Sequence, residues 1–530
     1  MRWVLAIDLG NGGPKVAAVE ESGTIVATAF KPVSVYVGLD GTATQDAIEW
    51  EVALRAAVAE VIEGVPKDDL VAIGITGQWG STVPVGPDDD PAGPVILWSD
   101  TRSRHNVARI LGGPISFGGY APHKVLPWVR ITGGAPNPAG ADPTGHALLL
   151  QNELSDIGEQ CRVLLEPVDY LAFLLTGRAA ATPVSMTASW LTDNHIGSKP
   201  EYVADLVKRS GRRPELLPEL IPTGSIQGPL LAEPAERLGL KPGVPVACGI
   251  PDIHAAIVGS GAVKAYDTHM AVSTTAWLSG PVPFKRTDIL HGMATLPGLT
   301  PDMNIVGNNI ETGGAALSWL REQIIAPSDG LLGGGSGIGA DGAAPVTEQP
   351  TYAALTELAA TAPAGSEGLI FTPWLAGERS PVEDKNLRAA FLNLSLRTDR
   401  AMLVRAVMEG VALNINWLFG YYEKFVKRTV PSIRIMGGGA QSDLWCSIIA
   451  STLDRRIEQV ADPLNAQLRG VALWALVCMG EITLDEAAAR VPVARTFDPI
   501  PADRDVYAHH MREYKKLYGT VKGFYKRMNG

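Results

Sequence analysis

Residues 4–29 read VLAIDLGNGGPKVAAVEESGTIVATA. The stretch contains three apolar segments, at residues 4–7, 15–19 and 24–29, which we expect to be β-strands. Short turns rich in Gly, Asn and Ser separate them, and such turns between apolar runs are typical of antiparallel hairpins. The stretch therefore predicts an N-terminal antiparallel sheet, with Asp8 leading into a first turn over residues 10–14.

The segments that follow alternate between helix and strand patterns. Apolar residues recur at helical spacing over residues 47–63, and residues 70–75 form an apolar strand run. This alternation predicts a mixed α/β sheet with helices on its faces. Residues 111–146 are rich in Gly and Pro and predict irregular connections. Residues 168–175 predict a helix that ends at Thr176-Gly177.

The opening pattern recurs in the second half of the chain. Around residues 267–278 an apolar strand, the small-residue turn Ser273-Thr274-Thr275 and a further strand follow one another. The layout, more than sequence identity, predicts an internal duplication with domains at residues 1–262 and 263–530. Long helices are expected at 400–424 and 465–479. The glycine-rich residues 330–342 lack the Gly-Lys-Ser/Thr of a P-loop and predict a mobile surface loop.

The composition is that of a well-buried globular protein. A chain of 530 residues is too long for one compact core, which agrees with two large domains. The net charge is −11 with no basic run, so no nucleic-acid partner is expected. The apolar start ends at Asp8 and is predicted to be a strand rather than a signal peptide. No apolar run is long enough to predict a membrane span. The four cysteines lack metal-ligand spacing, which favours buried free thiols in a reducing cytoplasm: Cys161, Cys248, Cys446 and Cys478.

The first turn is a candidate phosphate and metal site. Phosphoryl transfer requires a place for phosphates, a Mg²⁺ site and a carboxylate near the attacking hydroxyl. The glycines after Asp8 let backbone amides approach phosphate oxygens, and Lys15 adds positive charge. One aspartate at a strand end suits Mg²⁺, which takes one or two carboxylates and keeps several waters. An ordinary hairpin with a solvated aspartate is the alternative.

Two further segments are candidates for chemistry. Asp252 lies between a strand over residues 245–249 and a small-residue helix start, where it either points into a cleft or caps the helix. His254 is interpreted as a satisfied or surface histidine. The run Gly437-Gly438-Gly439-Ala440-Gln441-Ser442 stands between a strand and a helix, an arrangement that suits a nucleotide.

Taken together, these segments resemble the FGGY carbohydrate kinase family, which includes xylulokinase, glycerol kinase and gluconate kinase. The resemblance runs over nearly the whole chain, and its most specific part is Phe371-Thr372-Pro373-Trp374-Leu375-Ala376-Gly377-Glu378-Arg379-Ser380-Pro381. Other matching segments are Asp8-Leu9-Gly10, Gly74-Ile75-Thr76-Gly77-Gln78, Trp98-Ser99-Asp100-Thr101-Arg102, residues 249–256, Ser273-Thr274-Thr275, Gly313-Gly314-Ala315-Ala316, Arg388-Ala389-Ala390-Phe391, residues 405–412 and residues 437–445.

The resemblance implies an α/β fold of two actin-like (ribonuclease H-like, ASKHA) domains, with ATP and sugar meeting in the interdomain cleft. It implies ATP and Mg²⁺ as cofactors, Asp252 as the catalytic base and Asp8 as the metal residue. The implied substrate-binding residues are Gln78, Trp79, Gly80, Asp100, Arg102 and Asp252, where Asp100 and Arg102 either contact the sugar or brace its wall. The implied ATP-binding residues are Asn11, Gly12, Lys15, Thr274, Gly314, Ser318, Gly439 and Asp443. Trp98 is interpreted as core or site. Glu378 and Arg379 either tie together the cleft face of the second domain or form a structural ion pair.

Some positions depart from the family pattern. Asn11 and Gly12 replace the usual hydroxyl residues, although Asn11 still carries a hydrogen-bond donor. Ser273 replaces the usual glycine of the second phosphate loop and crowds the approach to phosphate. Xylulokinases usually place Met and His after the glutamine, whereas this chain has Trp79 and Gly80, so Trp79 would offer a flat apolar wall to a sugar.

The resemblance implies phosphorylation of a sugar or polyol hydroxyl, with a ketopentose such as xylulose as the first candidate. The alternatives are an erythritol, glycerol, ribulose or gluconate type of kinase, or a non-catalytic sugar or nucleotide sensor on the same fold. An actin-like chaperone or filament ATPase would not explain Trp98-Ser99-Asp100-Thr101-Arg102. We expect a cytoplasmic protein with a small-molecule substrate and no membrane partner. Dimers are frequent in the family, which leaves a homodimer as an expected alternative to the monomer.

Overall fold

The computed structural model describes residues 2–326 and 349–530. The predicted glycine-rich loop at residues 330–342 lies outside the described residues. The three predicted N-terminal strands are confirmed, and they form one antiparallel sheet edge. The turn between the first two is tighter than predicted, because Gly10 pairs with Gly13 and leaves Asn11-Gly12 at the tip.

The first half of the chain folds into one mixed sheet of seven strands with helices on its faces and into several smaller sheets. Its strands are β1 (Trp3–Gly10), β2 (Gly13–Glu20), β3 (Ile25–Phe30), β4 (Tyr36–Val37), β5 (Ala43–Gln45), β6 (Leu70–Gly77), β7 (Val83–Val85), β8 (Val95–Ile96), β9 (Val163–Leu165), β10 (Ala180–Ala181), β11 (Glu219–Leu220), β12 (Ile226–Pro229), β13 (Pro245–Ala247) and β14 (Ile250–Pro251). Its helices are α1 (Ala47–Ile62), α2 (Arg104–Leu111), α3 (Pro122–Thr132), α4 (Pro143–Asn152), α5 (Ser155–Gly158), α6 (Pro167–Thr176), α7 (Ala204–Ser210), α8 (Ala232–Leu238) and α9 (Asp252–Ser260).

The second half folds into its own mixed sheet of five strands, smaller sheets and helices. Its strands are β15 (His269–Val272), β16 (Ala276–Ser279), β17 (Pro281–Val282), β18 (Thr287–Asp288), β19 (Met293–Pro297), β20 (Asn304–Gly307), β21 (Ile370–Thr372), β22 (Ala390–Leu392), β23 (Ser432–Met436), β24 (Arg456–Val460) and β25 (Val493–Phe497). Its helices are α10 (Ala315–Leu320), α11 (Tyr352–Ala360), α12 (Arg400–Val426), α13 (Asp443–Leu453), α14 (Ala466–Cys478), α15 (Leu484–Ala489) and α16 (Arg504–Asn529).

The two large sheets repeat one arrangement. In the first, the order is β12-β13-β6-β1-β2-β3, with β1 antiparallel to β2 and parallel to β6. In the second, the order is β16-β15-β23-β24-β25, with β15 antiparallel to β16 and parallel to β23. A hairpin followed by parallel strands thus occurs twice, which supports the predicted duplication. The boundary near residue 262 stays a prediction.

Helix α14 joins the two halves. Apolar residues of α14 share a core with Val4 and Ala6 of β1, although α14 lies more than 400 residues further along the chain. It also crosses α9 closely, because a Cβ at Gly259 or Gly470 would overlap a backbone carbonyl of the facing helix. The helix that begins at Asp252 is therefore fixed against a helix from the second half.

The predicted irregular connection at residues 111–146 is wrong in part. It contains α3, and α4 begins within it. Pro122 and Pro143 stand at the first position of these helices, where a missing N–H costs nothing. Gly133 ends α3 with φ 87°. The prolines and glycines here bound helices rather than replace them.

Helix α12 is the one helix in residues 2–326 and 349–530 that is long and apolar enough, by composition, to cross a membrane. In its most apolar window, 89% of the residues are buried inside the protein, which is the pattern of a core helix. The cysteines are free as predicted; three are buried and Cys478 is half-buried.

Candidate active site

The strand β6 brings two aspartates to one place. Asp8 on β1 pairs with Thr76 of β6, and Ile250 of β14 pairs with the same Thr76 from the other side. Asp252 follows two residues later as the first residue of α9. The two candidate acids, far apart in sequence, therefore meet at the end of β6.

The Asp8 carboxylate is almost fully buried, with 6% exposure. Within the described residues it makes no hydrogen bond, and Lys15 lies opposite it in the hairpin. Burial raises the pKa of Asp8, and the positive charge of Lys15 opposes that rise. Asp8 is thus a carboxylate whose oxygens remain available to a ligand.

The carboxyl group of Asp252 has a pKa close to neutral pH. Burial, and then the negative charge of Asp8, raise the pKa of Asp252 to about 7. Its Oδ1 accepts a hydrogen bond from the N–H of Ile253 at 2.7 Å, so the residue also serves the helix start. A carboxylate with this pKa accepts a proton efficiently near neutral pH.

These two residues fit a magnesium ion. Mg²⁺ is commonly held by one or two carboxylates with several waters. No group of three or more His, Cys, Asp or Glu side chains that could hold a metal occurs in residues 2–326 and 349–530. Two buried carboxylates that repel each other, one of them without a protein partner, are an environment that a divalent cation stabilises.

His254 is buried close to this pair, and the prediction of a satisfied histidine holds for one ring nitrogen only, because Nδ1 is buried with no hydrogen-bond partner among the described residues. Its Nε2 lies 2.8 Å from the carbonyl oxygen of Pro297. Burial lowers the pKa of His254 to about 4, so the ring is neutral at pH 7 and donates to that carbonyl. The histidine anchors α9 to β19 of the second half.

The hairpin tip carries the candidate phosphate residues. Asn11 is half-buried and Gly12 is exposed. The backbone carbonyl of Asn11 accepts a hydrogen bond from Gln45 Nε2 at 2.7 Å, and its side-chain Oδ1 accepts one from Trp98 Nε1 at 3.3 Å. The tip is thus fixed by residues that lie beyond the hairpin.

The predicted sugar wall begins where β6 ends, at Gln78. The Gln78 amide donates to Gln45 Oε1 at 3.0 Å, and its carbonyl oxygen accepts from Ser81 Oγ at 3.1 Å. Its exposure is 6%. The polar groups of Gln78 are therefore already occupied by the protein.

Gly80 adopts a backbone conformation that favours glycine, with φ 82°. Its N–H donates to Glu166 Oε2 at 2.9 Å. Burial, and then the neighbouring Asp169, raise the pKa of Glu166 well above its usual range. A Cβ at Gly80 would lie 3.5 Å from the Cβ of Trp98 and 3.8 Å from that of Ala188. The backbone, more than lack of space, disfavours a larger residue here.

Trp79 packs at the junction of the two halves. Its indole N–H donates to the carbonyl of Ser185 at 2.9 Å. Its ring packs against an apolar cluster of Ile257, Val263, Leu296 and Ile305. The half-buried ring is thus held in place from both halves.

Asp100 and Arg102 have the geometry of bracing residues. Asp100 is fully buried and accepts hydrogen bonds from the N–H of Ala43 at 3.0 Å and from the N–H of Arg102 at 3.0 Å. The Arg102 guanidinium also pairs with it at 2.7 Å. This arrangement favours the bracing alternative for Asp100.

The second half brings three loops together. The N–H groups of Gly313 and Gly314 donate to the carbonyls of Thr274 and Ser273, at 2.8 and 2.5 Å. A Cβ at Gly439 would lie 2.6 Å from Val272, just before Ser273. The candidate ATP residues Thr274, Gly314 and Gly439 are therefore neighbours.

The other two candidate ATP residues lie on helices beside these loops. Ser318 on α10 is half-buried, and its hydroxyl is 2.7 Å from that of Tyr352. Asp443 begins α13 and pairs with Arg495 at the surface.

The predicted ion pair between Glu378 and Arg379 is wrong. Glu378 is buried and accepts from the backbone N–H groups of Glu311 and Arg379 and from Asn414 Nδ2. Burial raises the pKa of Glu378 to about 7. The Arg379 guanidinium instead pairs with Glu311 at 2.6 Å. The buried carboxyl group of Glu378 instead holds the backbone at Glu311 and Arg379 through hydrogen bonds.

Sequence reasoning missed the residues that support the site. Gln45 and Glu166 bond to wall residues 33 and 86 positions away. Glu311 contacts a residue 67 positions away. No local motif marks these residues, because their partners are brought together only by the fold.

Two actin-like domains with a pair of buried aspartates near their junction define a class of phosphotransferases. The models of the N-terminal and C-terminal domains of the FGGY family of carbohydrate kinases match residues 3–113 with 146–259, and 259–479. The chain belongs to this family and is a carbohydrate kinase.

The similarity to known relatives extends over almost the full length of the chain. The chain is 24% identical to a xylulose kinase of Staphylococcus epidermidis, over 98% of this chain and 97% of the relative. It is 23% identical to a gluconokinase of Bacillus subtilis, over 97% and 94%. The ligand-bound structure of a xylulose kinase from Lactobacillus acidophilus has a TM-score of 0.82 and 20% identity and covers 100% of both chains. That likeness shows the fold.

Proposed function

We propose that this carbohydrate kinase transfers the γ-phosphoryl group of ATP to a hydroxyl of a small ketose or polyol. A ketopentose such as xylulose is the first candidate, and an aldonate such as gluconate is the second, because relatives of both kinds match the whole chain. The observation that carries the proposal is Asp252, which has a pKa of about 7 and stands beside the buried Asp8.

Asp252 acts as the general base. As the substrate hydroxyl oxygen forms a bond to the γ-phosphorus, its proton passes to the Asp252 carboxylate, and the bond from that phosphorus to the bridging oxygen breaks. The products are the sugar phosphate and ADP. The N–H of Ile253 orients one oxygen of the Asp252 carboxylate and leaves the other oxygen to take the proton.

Asp8 would hold Mg²⁺, directly or through water. When bound, the ion supplies positive charge that offsets the charge of the phosphates. Asn11, Gly12 and Lys15 would bind phosphate from the first half. Thr274, Gly314, Ser318, Gly439 and Asp443 would bind ATP from the second half, where the first loops already meet. Closure of the cleft would exclude water from the transfer.

The sugar wall supports recognition by shape. The Gln78 amide, the Trp79 indole N–H and the Gly80 N–H are already bonded to the protein, which favours a wall that recognises a sugar through its surface more than through these donors. The Trp79 ring offers an apolar surface, which suits the C–H face of a sugar. Asp100 and Arg102 would hold this wall in place. The wall differs from that of a typical xylulokinase, so the substrate must be found by experiment.

We further propose that the protein works in the cytoplasm, as a monomer or homodimer, without a nucleic-acid or membrane partner. The free cysteines and the net charge of −11 support this. Gel filtration with light scattering measures the assembly directly.

A substrate screen tests the proposal. Purified protein with ATP and Mg²⁺ is offered pentuloses, hexuloses, tetritols, glycerol and aldonates, and ADP release and the phosphorylated product are both measured. We expect one class to raise ADP release well above background with a matching amount of sugar phosphate. If ATP binds but no substrate raises ADP release, the protein is a sensor. If Asp252→Asn keeps the activity, the assignment of the base is wrong.

A further inference from the structure

Arg379 reaches from the second half of the chain to the sugar wall of the first. Its guanidinium carbon lies 5.6 Å from the centre of the Trp98 ring, within the range of a cation–π contact. The Arg379 side chain is 48% exposed, so it borders open space rather than the core. The contact therefore bridges the two halves beside the proposed site.

Trp98 connects that contact to the phosphate hairpin. Its indole N–H donates to Asn11 Oδ1 at 3.3 Å, and its backbone N–H donates to Ser81 Oγ at 3.1 Å. An indole nitrogen is a donor only, so the oxygen of the Asn11 amide must face it. The NH₂ group of Asn11 is then turned away from Trp98 and remains a donor for an anion.

Arg379 is anchored on the nucleotide side. It pairs with Glu311 at 2.6 Å, and the backbone N–H of Glu311 donates to the buried Glu378 at 2.9 Å. Gly313 and Gly314 follow Glu311 two and three residues later, and their N–H groups donate to the carbonyls of Thr274 and Ser273. One continuous set of contacts thus leads from the nucleotide loops through Arg379 and Trp98 to Asn11.

We propose that Trp98 and Arg379 are positioning residues that couple closure of the cleft to phosphate binding by Asn11. This inference rests on the proposed kinase function. When the halves close, water leaves the cleft and the contact between Arg379 and the Trp98 ring strengthens. Trp98 then holds the Asn11 amide with its donor toward the phosphates. Without the contact, bound ATP is more open to water, and part of its hydrolysis is not coupled to the sugar.

The first test removes the cation. In Arg379→Met, kcat/KM for the sugar is expected to fall about twofold to thirtyfold, the range from an exposed to a desolvated cation–π contact. The ratio of ADP to sugar phosphate is expected to rise above that of the wild type. Arg379→Lys keeps a cation, so we expect both kcat/KM and the ratio of ADP to sugar phosphate to return part of the way to the wild-type values. Arg397→Met is the matched control, because Arg397 is 83% exposed on the same half and is expected to behave as the wild type.

The second test uses nucleotide binding alone. Trp98→Phe keeps an aromatic ring and removes the indole N–H, and we expect it to weaken binding of the ATP analogue AMPPNP about twofold to tenfold, the range of one hydrogen bond. In an Asn11→Ala background the same change is expected to have no further effect, which calorimetry measures as a double-mutant cycle.

Each outcome decides the inference. An unchanged coupling ratio in Arg379→Met, or a loss explained by a lower melting temperature with the ratio unchanged, overturns the role of Arg379. If Trp98→Phe weakens AMPPNP binding equally in the wild-type and Asn11→Ala backgrounds, the proposed role of Trp98 is overturned. A wild type that binds AMPPNP but phosphorylates no sugar refutes the proposed function, whereas the double-mutant cycle still decides whether Trp98 orients Asn11.

Discussion

The carboxylates at the end of β6 and the sugar wall lie side by side but use their polar atoms in opposite ways. Among the described residues the Asp8 carboxylate has no hydrogen-bond partner, and the Asp252 carboxylate accepts only from the adjacent N–H of Ile253. The polar groups of Gln78, Trp79 and Gly80 are instead bonded to the protein. The difference teaches that the two carboxylates keep oxygen atoms free for a ligand, and that burial raises their pKa values. The wall residues are instead fixed in advance by the protein and present a surface of defined shape.

Loss of the base is expected to have the largest effect. Asp252→Asn keeps the size of the side chain and removes its proton-accepting capacity, so kcat is expected to fall about 10²- to 10⁴-fold. Steady-state kinetics on the substrate found in the screen measure this. Asp498→Asn, at an exposed surface pair with Arg456, is the matched control. A kcat within threefold of the wild type would place the base elsewhere.

The same variant is expected to be more stable than the wild type at high pH. The folded-state pKa of Asp252 is raised from 3.8 to about 7, so the protonated carboxyl stabilises the fold at low pH. That contribution is complete below pH 4 and is lost as the pH rises through 7. Without Mg²⁺, the stability of Asp252→Asn relative to the wild type should therefore grow between pH 4 and 8, by up to ~4 kcal/mol. Urea unfolding at several pH values measures it, and a constant difference would contradict the raised pKa.

The next largest effect is expected from substitution of Glu166, which supports the sugar wall through the N–H of Gly80. Glu166→Ala leaves the buried N–H of Gly80 without an acceptor, at a cost of about 1–3 kcal/mol. Glu166→Gln keeps an acceptor, and because burial favours the neutral form of Glu166, we expect this variant to stay close to the wild type. Sugar KM and thermal unfolding compare the two variants. Equal damage from both would mean that Glu166 acts through its charge.

A histidine at position 80 is expected to weaken the enzyme rather than restore a xylulokinase pocket. The positive φ of Gly80 makes a side chain unfavourable by about 1–2 kcal/mol. Gly80→His should lower stability and raise the KM for xylulose several-fold. Gly243→His, at φ 90° with open space around it, gives the backbone effect alone. A lower KM for xylulose in Gly80→His would contradict this prediction, because it would show that the backbone at position 80 can accommodate a histidine.

The sequence predicted the reactive side better than the wall. Asp8 and Asp252 stand at strand ends within motifs, and parallel pairing on β6 brings such ends together. The wall depends on Gln45 and Glu166, whose contacts only the fold creates. Helix α3 was missed because Pro127 lies inside it, although Pro122 and Gly133 form a normal helix start and end. The partner of Arg379 was misassigned, since sequence proximity to Glu378 does not determine where a long side chain lies.

The most direct test of the central claim is the pH dependence of kcat/KM for the sugar. Because the base must be deprotonated and burial beside Asp8 raises the pKa of Asp252 to about 7, the wild-type value is expected to fall as the pH decreases below neutrality. The residual activity of Asp252→Asn is expected to lack this acid limb. A wild-type profile that is flat between pH 5 and 8, or an acid limb that persists in Asp252→Asn, would contradict the assignment.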